Sequence, residues 1–193
     1  KGSITKVYEY FFTSPKYGNE VMRALRHFFN CPDLNKGKAL NMNNEQSTGF
    51  FNEWFLYDFE MANGKKPIDI FVAENPLRLK DNEMKFYRDL LDNRFGVFEV
   101  LNVDLGRSIN LRDLQTDEKW LVYENKATYG LAKGRIFFAR VGKVGNHYEL
   151  IGADSFSLQD IDEKTKKSFR RLKYKFTPKE ANDILNSYPN LHS

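Results

Sequence analysis

The stretch VFEVLNVDLGRSINLRDLQTDEKWLVYE, residues 97–124, reads as three short β-rich runs divided by Gly106 and by the turn-forming QTDE. In its first run the apolar phase slips between Val100 and Leu101, which predicts a β-bulge, a device that helps a short sheet curl closed. Downstream, GRIFFARVG and HYELIG are again of strand length. Gly96, Gly106, Gly134, Gly142, Gly145 and Gly152 fall near the ends of these runs, so residues 96–158 are predicted to form a small antiparallel β-barrel.

The flanks follow a different period. Upstream, NEVMRALRHFF places Val21, Met22, Leu25, Phe28 and Phe29 at helical spacing, with Asn19 or Asn30 as bounds. KKPIDIFVAENP fits a short helix opened by Pro67 and closed before Pro76. PLRLKDNEMKFYRDLLDNRF repeats the helical pattern through Leu79, Met84, Tyr87, Leu90 and Leu91. Residues 1–95 therefore form a mainly helical part. Residues 159–193 form a basic segment followed by a helix, and Thr177-Pro178-Lys179-Glu180 has the form of a capping box for a helix running to about Asn186. Between Phe169 and Phe176 the pattern is compatible with helix or strand. The expected class is α+β, with the three parts forming one cooperative unit.

At 193 residues the chain can bury a core without covalent help, and its single cysteine, Cys31, excludes an internal disulfide. That usage fits a reducing, cytoplasmic setting. No window approaches the run of about 18 apolar residues that a membrane span requires. No membrane partner is expected. The formal charge of +4 is modest, but the excess of Lys and Arg lies at the two ends of the chain and not in its middle.

Residues 50–59, FFNEWFLYDF, hold six aromatic rings in ten positions. Phe51, Trp54, Phe55 and Phe59 can share a helix face, leaving Glu53, Asp58 and Glu60 for the surface. The rings are expected to pack as core between the helical part and the barrel. A base-stacking platform is the alternative, but it would want cations among the rings, and this stretch is acidic.

Phe51, Glu53-Trp54-Phe55, Tyr57-Asp58, Gly64, Pro67 and Phe71, followed by LRDLQTDEKWLVYENKATYGLAKGRIFFARV, give the chain a resemblance to an uncharacterised bacterial family. Its members read approximately F-x-x-W-F-x-F-D, then V-x-L-R-D-L-x-T-G-E, A-S-x-x-L-x-x-G-D and A-R-V, and some carry a cysteine-rich SEC-C metal-binding tail. The resemblance covers about residues 50–152. Here Asp117 stands for Gly, Thr128 for Ser and Arg135 for the acidic residue after Gly134, and the cysteine-rich tail is absent. The resemblance implies the helical-then-barrel architecture. It implies no activity, cofactor or metal.

Motifs for chemistry are sparse. His27 and Cys31 stand at i, i+4, but a structural zinc site needs four ligands and no second pair complements them. No phosphate-binding loop or marked serine elbow occurs, and only three histidines are available to a His-based catalytic set. Asp69 with Glu83 and Lys85 matches the loose D…E-x-K pattern of metal-dependent nucleases, but E-x-K falls on a predicted amphipathic helix and not on a core strand. In LRDL, strand geometry sends Arg112 and Asp113 to opposite faces, so one of these charges is expected to be buried and paired.

The tail holds the strongest functional lead. Lys164, Lys166, Lys167, Arg170, Arg171, Lys173 and Lys175 set seven cations within twelve residues, interleaved with Phe169, Leu172 and Tyr174. Such a cluster neutralises phosphates, and its rings stack on unpaired bases. The expectation is a non-catalytic module contacting RNA or DNA through this segment and the adjoining barrel face, with no cofactor and no metal. The competing expectation is a protein-interaction or scaffolding domain of a larger chain whose basic tail is a solvated face. A metal-dependent nuclease comes third.

Overall fold

The computed structural model describes residues 4–34, 45–152, 156–158, 163–172 and 175–187. The class is α+β: N-terminal helices, central strands and a C-terminal helix. The chain divides into two compact units, Lys1–Arg88 and Asp89–Ser193.

The first unit holds α1 (Thr5–Thr13), α2 (Gly18–Phe28), α3 (Glu45–Tyr57), α4 (Pro67–Glu74) and all but the last residue of α5 (Asp81–Asp89). Local chemistry sets the ends of these helices. Past α2, Asn30 turns left-handed (φ 50), and Cys31 N–H donates to the Arg26 carbonyl at 2.9 Å, closing the helix. Pro67 opens α4 and Asp69 accepts the Lys66 N–H at 3.3 Å; Asn75, left-handed at φ 41, ends it before Pro76.

The rings of residues 50–59 are inside the fold. Phe50, Phe51, Trp54, Phe55, Tyr57 and Phe59 are all buried. Several of the rings meet helical residues of their own unit. Phe51 contacts Phe12, Phe28 and Phe29; Phe55 contacts Phe11; Trp54 meets Phe28 and stacks on His27 at 5.6 Å. Glu53 is a correction. Helical spacing places it on the surface, yet it is 2% exposed, since α3 is enclosed on more sides than a one-faced amphipathic helix.

The second unit is a six-stranded sheet with β1 (Asn93–Asp104), β2 (Ser108–Asp113), β3 (Lys119–Tyr123), β4 (Ile136–Val144), β5 (His147–Leu150) and β6 (Phe156–Leu158), then α6 (Glu163–Phe169) and α7 (Pro178–Ser187). The strand order is β1-β2-β3-β5-β4-β6, and β1 also pairs with β4, so the pairings β1-β2-β3-β5-β4-β1 form a ring. β3 pairs with β5 in parallel. The sheet is therefore mixed, which corrects the expected purely antiparallel arrangement. The other pairings are antiparallel, and the β1–β2 register shifts between Val100 and Asn102, where the phase slip predicted a bulge. That bulge lets one twelve-residue strand pair with β4 through its first half and with β2 through its second.

Inside the ring lie Phe98, Val100, Ile109, Leu111, Val122, Phe137, Ala139 and Val141, with Val103, Trp120, Tyr148 and Leu150 packed against them. Helix α6 ends at Phe169, and the described residues of the ambiguous stretch beyond it, 170–172 and 175–176, are neither helix nor strand. At α7 the capping box forms, with Thr177 N–H donating to Glu180 Oε2 at 2.8 Å. Asp117 is left-handed (φ 65), a conformation that the glycine of the resembled pattern adopts without strain and that aspartate tolerates.

Candidate functional site

Alternation gives each strand of the ring an inner and an outer face, and the outer faces are treated unequally. On β1 and β4 the outward Phe95 and Phe138 are buried beneath Phe176, which stacks on them at centroid distances of 6.2 and 5.3 Å. Phe169 meets the same Phe176 ring edge-on at 6.0 Å. The C-terminal segment thus covers this side.

The outer face of β2 and β3 carries no such cover among the described residues. Here Ser108 lies beside Tyr123, Asn110 beside Leu121 and Arg112 beside Lys119. Leu121 and Tyr123 are 47% and 48% exposed, and Lys119 is exposed. Tyr123 meets the ring of His147 at 5.1 Å, and His147 Nε2 lies 2.8 Å from Glu149 Oε1. Leu105 in the β1–β2 loop and Tyr129 in the 3-10 turn Lys126–Tyr129 add apolar surface, at 65% and 72% exposure. Apolar side chains gathered on an otherwise polar face suit a ligand.

α6 borders this face through ion pairs. Lys166 Nζ lies 3.1 Å from Glu99 and 2.7 Å from Glu163, and Arg112 also bonds Glu99. Arg170 meets Asp117 at 2.9 Å, and the Gln115 side-chain amide donates to the Leu172 carbonyl at 3.3 Å. Burial pushes the Glu99 carboxyl up, but the bonds from Lys166 and Arg112 outweigh it and hold the group below its ordinary value. The bond to Glu163, against a desolvation cost and with help from Glu99, holds Lys166 above its own.

The seven cations of the tail are thus in different states. Lys166 and Arg170 form ion pairs that dock α6; Lys164, Lys167, Arg170, Arg171 and Lys175 are exposed, and Lys173 lies outside the described residues. In LRDL, Asp113 is fully buried and bonds Arg94 Nε at 2.5 Å, while also accepting the N–H groups of Gln115 and Thr116. That pattern makes it a turn and seam residue.

Asp69 and Glu83, two members of the nuclease-like pattern, are employed elsewhere. Asp69 caps α4, and Glu83 on α5 meets Lys6 at 3.4 Å. Among the described residues no cluster of three His, Cys, Asp or Glu side chains is placed to hold a metal ion, and no helix is long and apolar enough to cross a membrane.

Sequence reading passed over Leu121 and Tyr123. The signal was present in KWLVYE: once Val122 points inward, its neighbours point outward, and two apolar residues on a solvent face are the anomaly. No curated protein and no solved structure matches the chain. Residues 6–190 match the model of a family of unknown function, DUF7986, and the chain belongs to that family.

Proposed function

We propose that the chain is a non-catalytic module that binds single-stranded RNA or DNA across the outer face of β2 and β3, with the basic tail supplying phosphate contacts. The observation that carries this reading is the exposed row of Lys119, Leu121 and Tyr123, beside the polar Ser108 and Asn110. A tyrosine ring on such a face stacks on an unpaired base, worth about 1–3 kcal/mol per base. Lys164, Lys167, Arg171 and Lys175 are exposed on the segment that borders this face, and they serve as the phosphate contacts. Lys166 and Arg170 hold the segment in place.

Fold-level analogy lends support. Five-stranded oligonucleotide-binding barrels take ligands on the face of their second and third strands, the pair whose outer face is open here. A fluorescence-anisotropy titration with short single-stranded and duplex RNA and DNA at two salt concentrations tests the reading. Single strands should bind, and the triple variant Lys164→Glu, Lys167→Glu, Arg171→Glu should bind more weakly, with its salt slope reduced by about 2. Absence of binding at low salt overturns the proposal and directs attention to a protein partner on the same apolar face.

A further inference from the structure

The seam between β3 and β5 is open along most of its length. Asp113 N–H donates to the Glu118 carbonyl at 2.9 Å, and Glu124 N–H to the Arg107 carbonyl at 3.1 Å, so the even-numbered residues of this segment turn their backbone groups toward β2. Lys119, Leu121 and Tyr123 therefore turn theirs toward β5. β5 reaches β3 only at Val122 and Tyr148, and a parallel bridge there engages the Leu121 carbonyl and the Tyr123 N–H. The Lys119 N–H and carbonyl are left facing the seam. Beside them lies a depression of about 460 Å³ lined by Glu118, Lys119, Trp120, Leu121 and Tyr148. The indole N–H of Trp120 is buried and has no acceptor among the described residues. Tyr148 stands edge-on to the Trp120 ring at 5.0 Å, and its hydroxyl is tied to Asp92 at 2.9 Å, which fixes one wall.

An unmet buried donor costs free energy unless water or a ligand supplies the acceptor, and a base carbonyl can take that place. The seam offers an adjacent donor and acceptor on one backbone residue and a further donor on the indole. We infer that it is a base-reading slot that takes a uracil or thymine of the bound strand by its hydrogen-bonding edge. This inference rests on the single-strand reading above. Lys119 N–H donates to one carbonyl of the base, the base N3–H donates to the Lys119 carbonyl, and Trp120 Nε1–H donates to the second carbonyl. Cytosine, of nearly the same shape, presents a donor followed by two acceptors and leaves this set mismatched. The charge of Lys119 at the rim complements the adjoining phosphate.

The test compares thymine and cytosine oligomers of equal length at one salt concentration, measured by anisotropy. The wild type should prefer thymine by at least about tenfold. Trp120→Phe keeps the ring and removes the donor, and should cut the preference to below about threefold. Lys119→Pro removes an N–H that the β2 ladder does not use, at the first residue of the strand, where proline is tolerated. It should lose the preference, while Lys119→Ala keeps it with weaker overall binding. Thermal melts establish that each variant folds, and Trp120→Phe decides alone if Lys119→Pro does not. Binding without base preference, or a preference that survives Trp120→Phe, overturns the slot and leaves the single-strand reading standing. No oligomer binding at low salt overturns both.

Discussion

The two outer faces of the sheet are built from the same alternating backbone and have opposite fates. Over β1 and β4, Phe95 and Phe138 project outward and are sealed by Phe176 from a segment far along the chain. Over β2 and β3, Leu121 and Tyr123 project outward and stay half exposed. The first face behaves as a second core layer, in which each ring adds apolar burial to the interior of the ring of strands. The second keeps apolar groups in water at a cost that packing does not return, and that asymmetry is the argument for a ligand.

The largest expected break in this contrast is Phe176→Ala. It uncovers the first face and should cost about 3–5 kcal/mol, read as a lower urea midpoint. A loss below 1 kcal/mol would mean that the cover contributes little. Next comes the clasp between α6 and the sheet. Glu99→Gln should cost about 1.5–3 kcal/mol, because Lys166 and Arg112 lose a charged acceptor.

The same clasp predicts a pH dependence. Since the folded Glu99 value lies below 4.5, its contribution is present above 4.5 and lost as pH falls through the folded value. Lys166, held above 10.5, contributes below 10.5 and loses that share as pH rises through its folded value. The clasp's share of stability should hold between these limits, and Glu99→Gln should flatten the acid limb of the melting profile. The smallest effect on stability belongs to the open face. Tyr123→Ala should change stability by less than about 0.5 kcal/mol, yet weaken single-strand binding by about 1–3 kcal/mol. A large fall in stability with binding intact would make Tyr123 a packing residue and erase the contrast.

The sequence made some of this legible and concealed the rest for a physical reason. The bulge at Val100, the helix from Pro67 and the box at Thr177 are set by neighbours within a few residues, and each is where the local pattern placed it. The parallel contact of β3 with β5 and the short β6 against β4 depend on partners that periodicity does not name. The burial of Glu53 is hidden from the sequence because alternating or helical spacing tells which residues share a side, not whether another element will cover it. The same limit hid Leu121 and Tyr123 and drew attention to the whole basic tail, two of whose cations are used to dock α6.

Single-strand binding on the β2–β3 face is tested by backbone amide chemical-shift mapping of the labelled protein with and without a short single-stranded oligomer. Perturbations are expected over residues 108–112, 119–123, 147–149 and 163–171, with 178–187 and the helices of the first unit unchanged. Perturbations confined to the helical unit, or to the face that Phe176 covers, would contradict binding on the β2–β3 face.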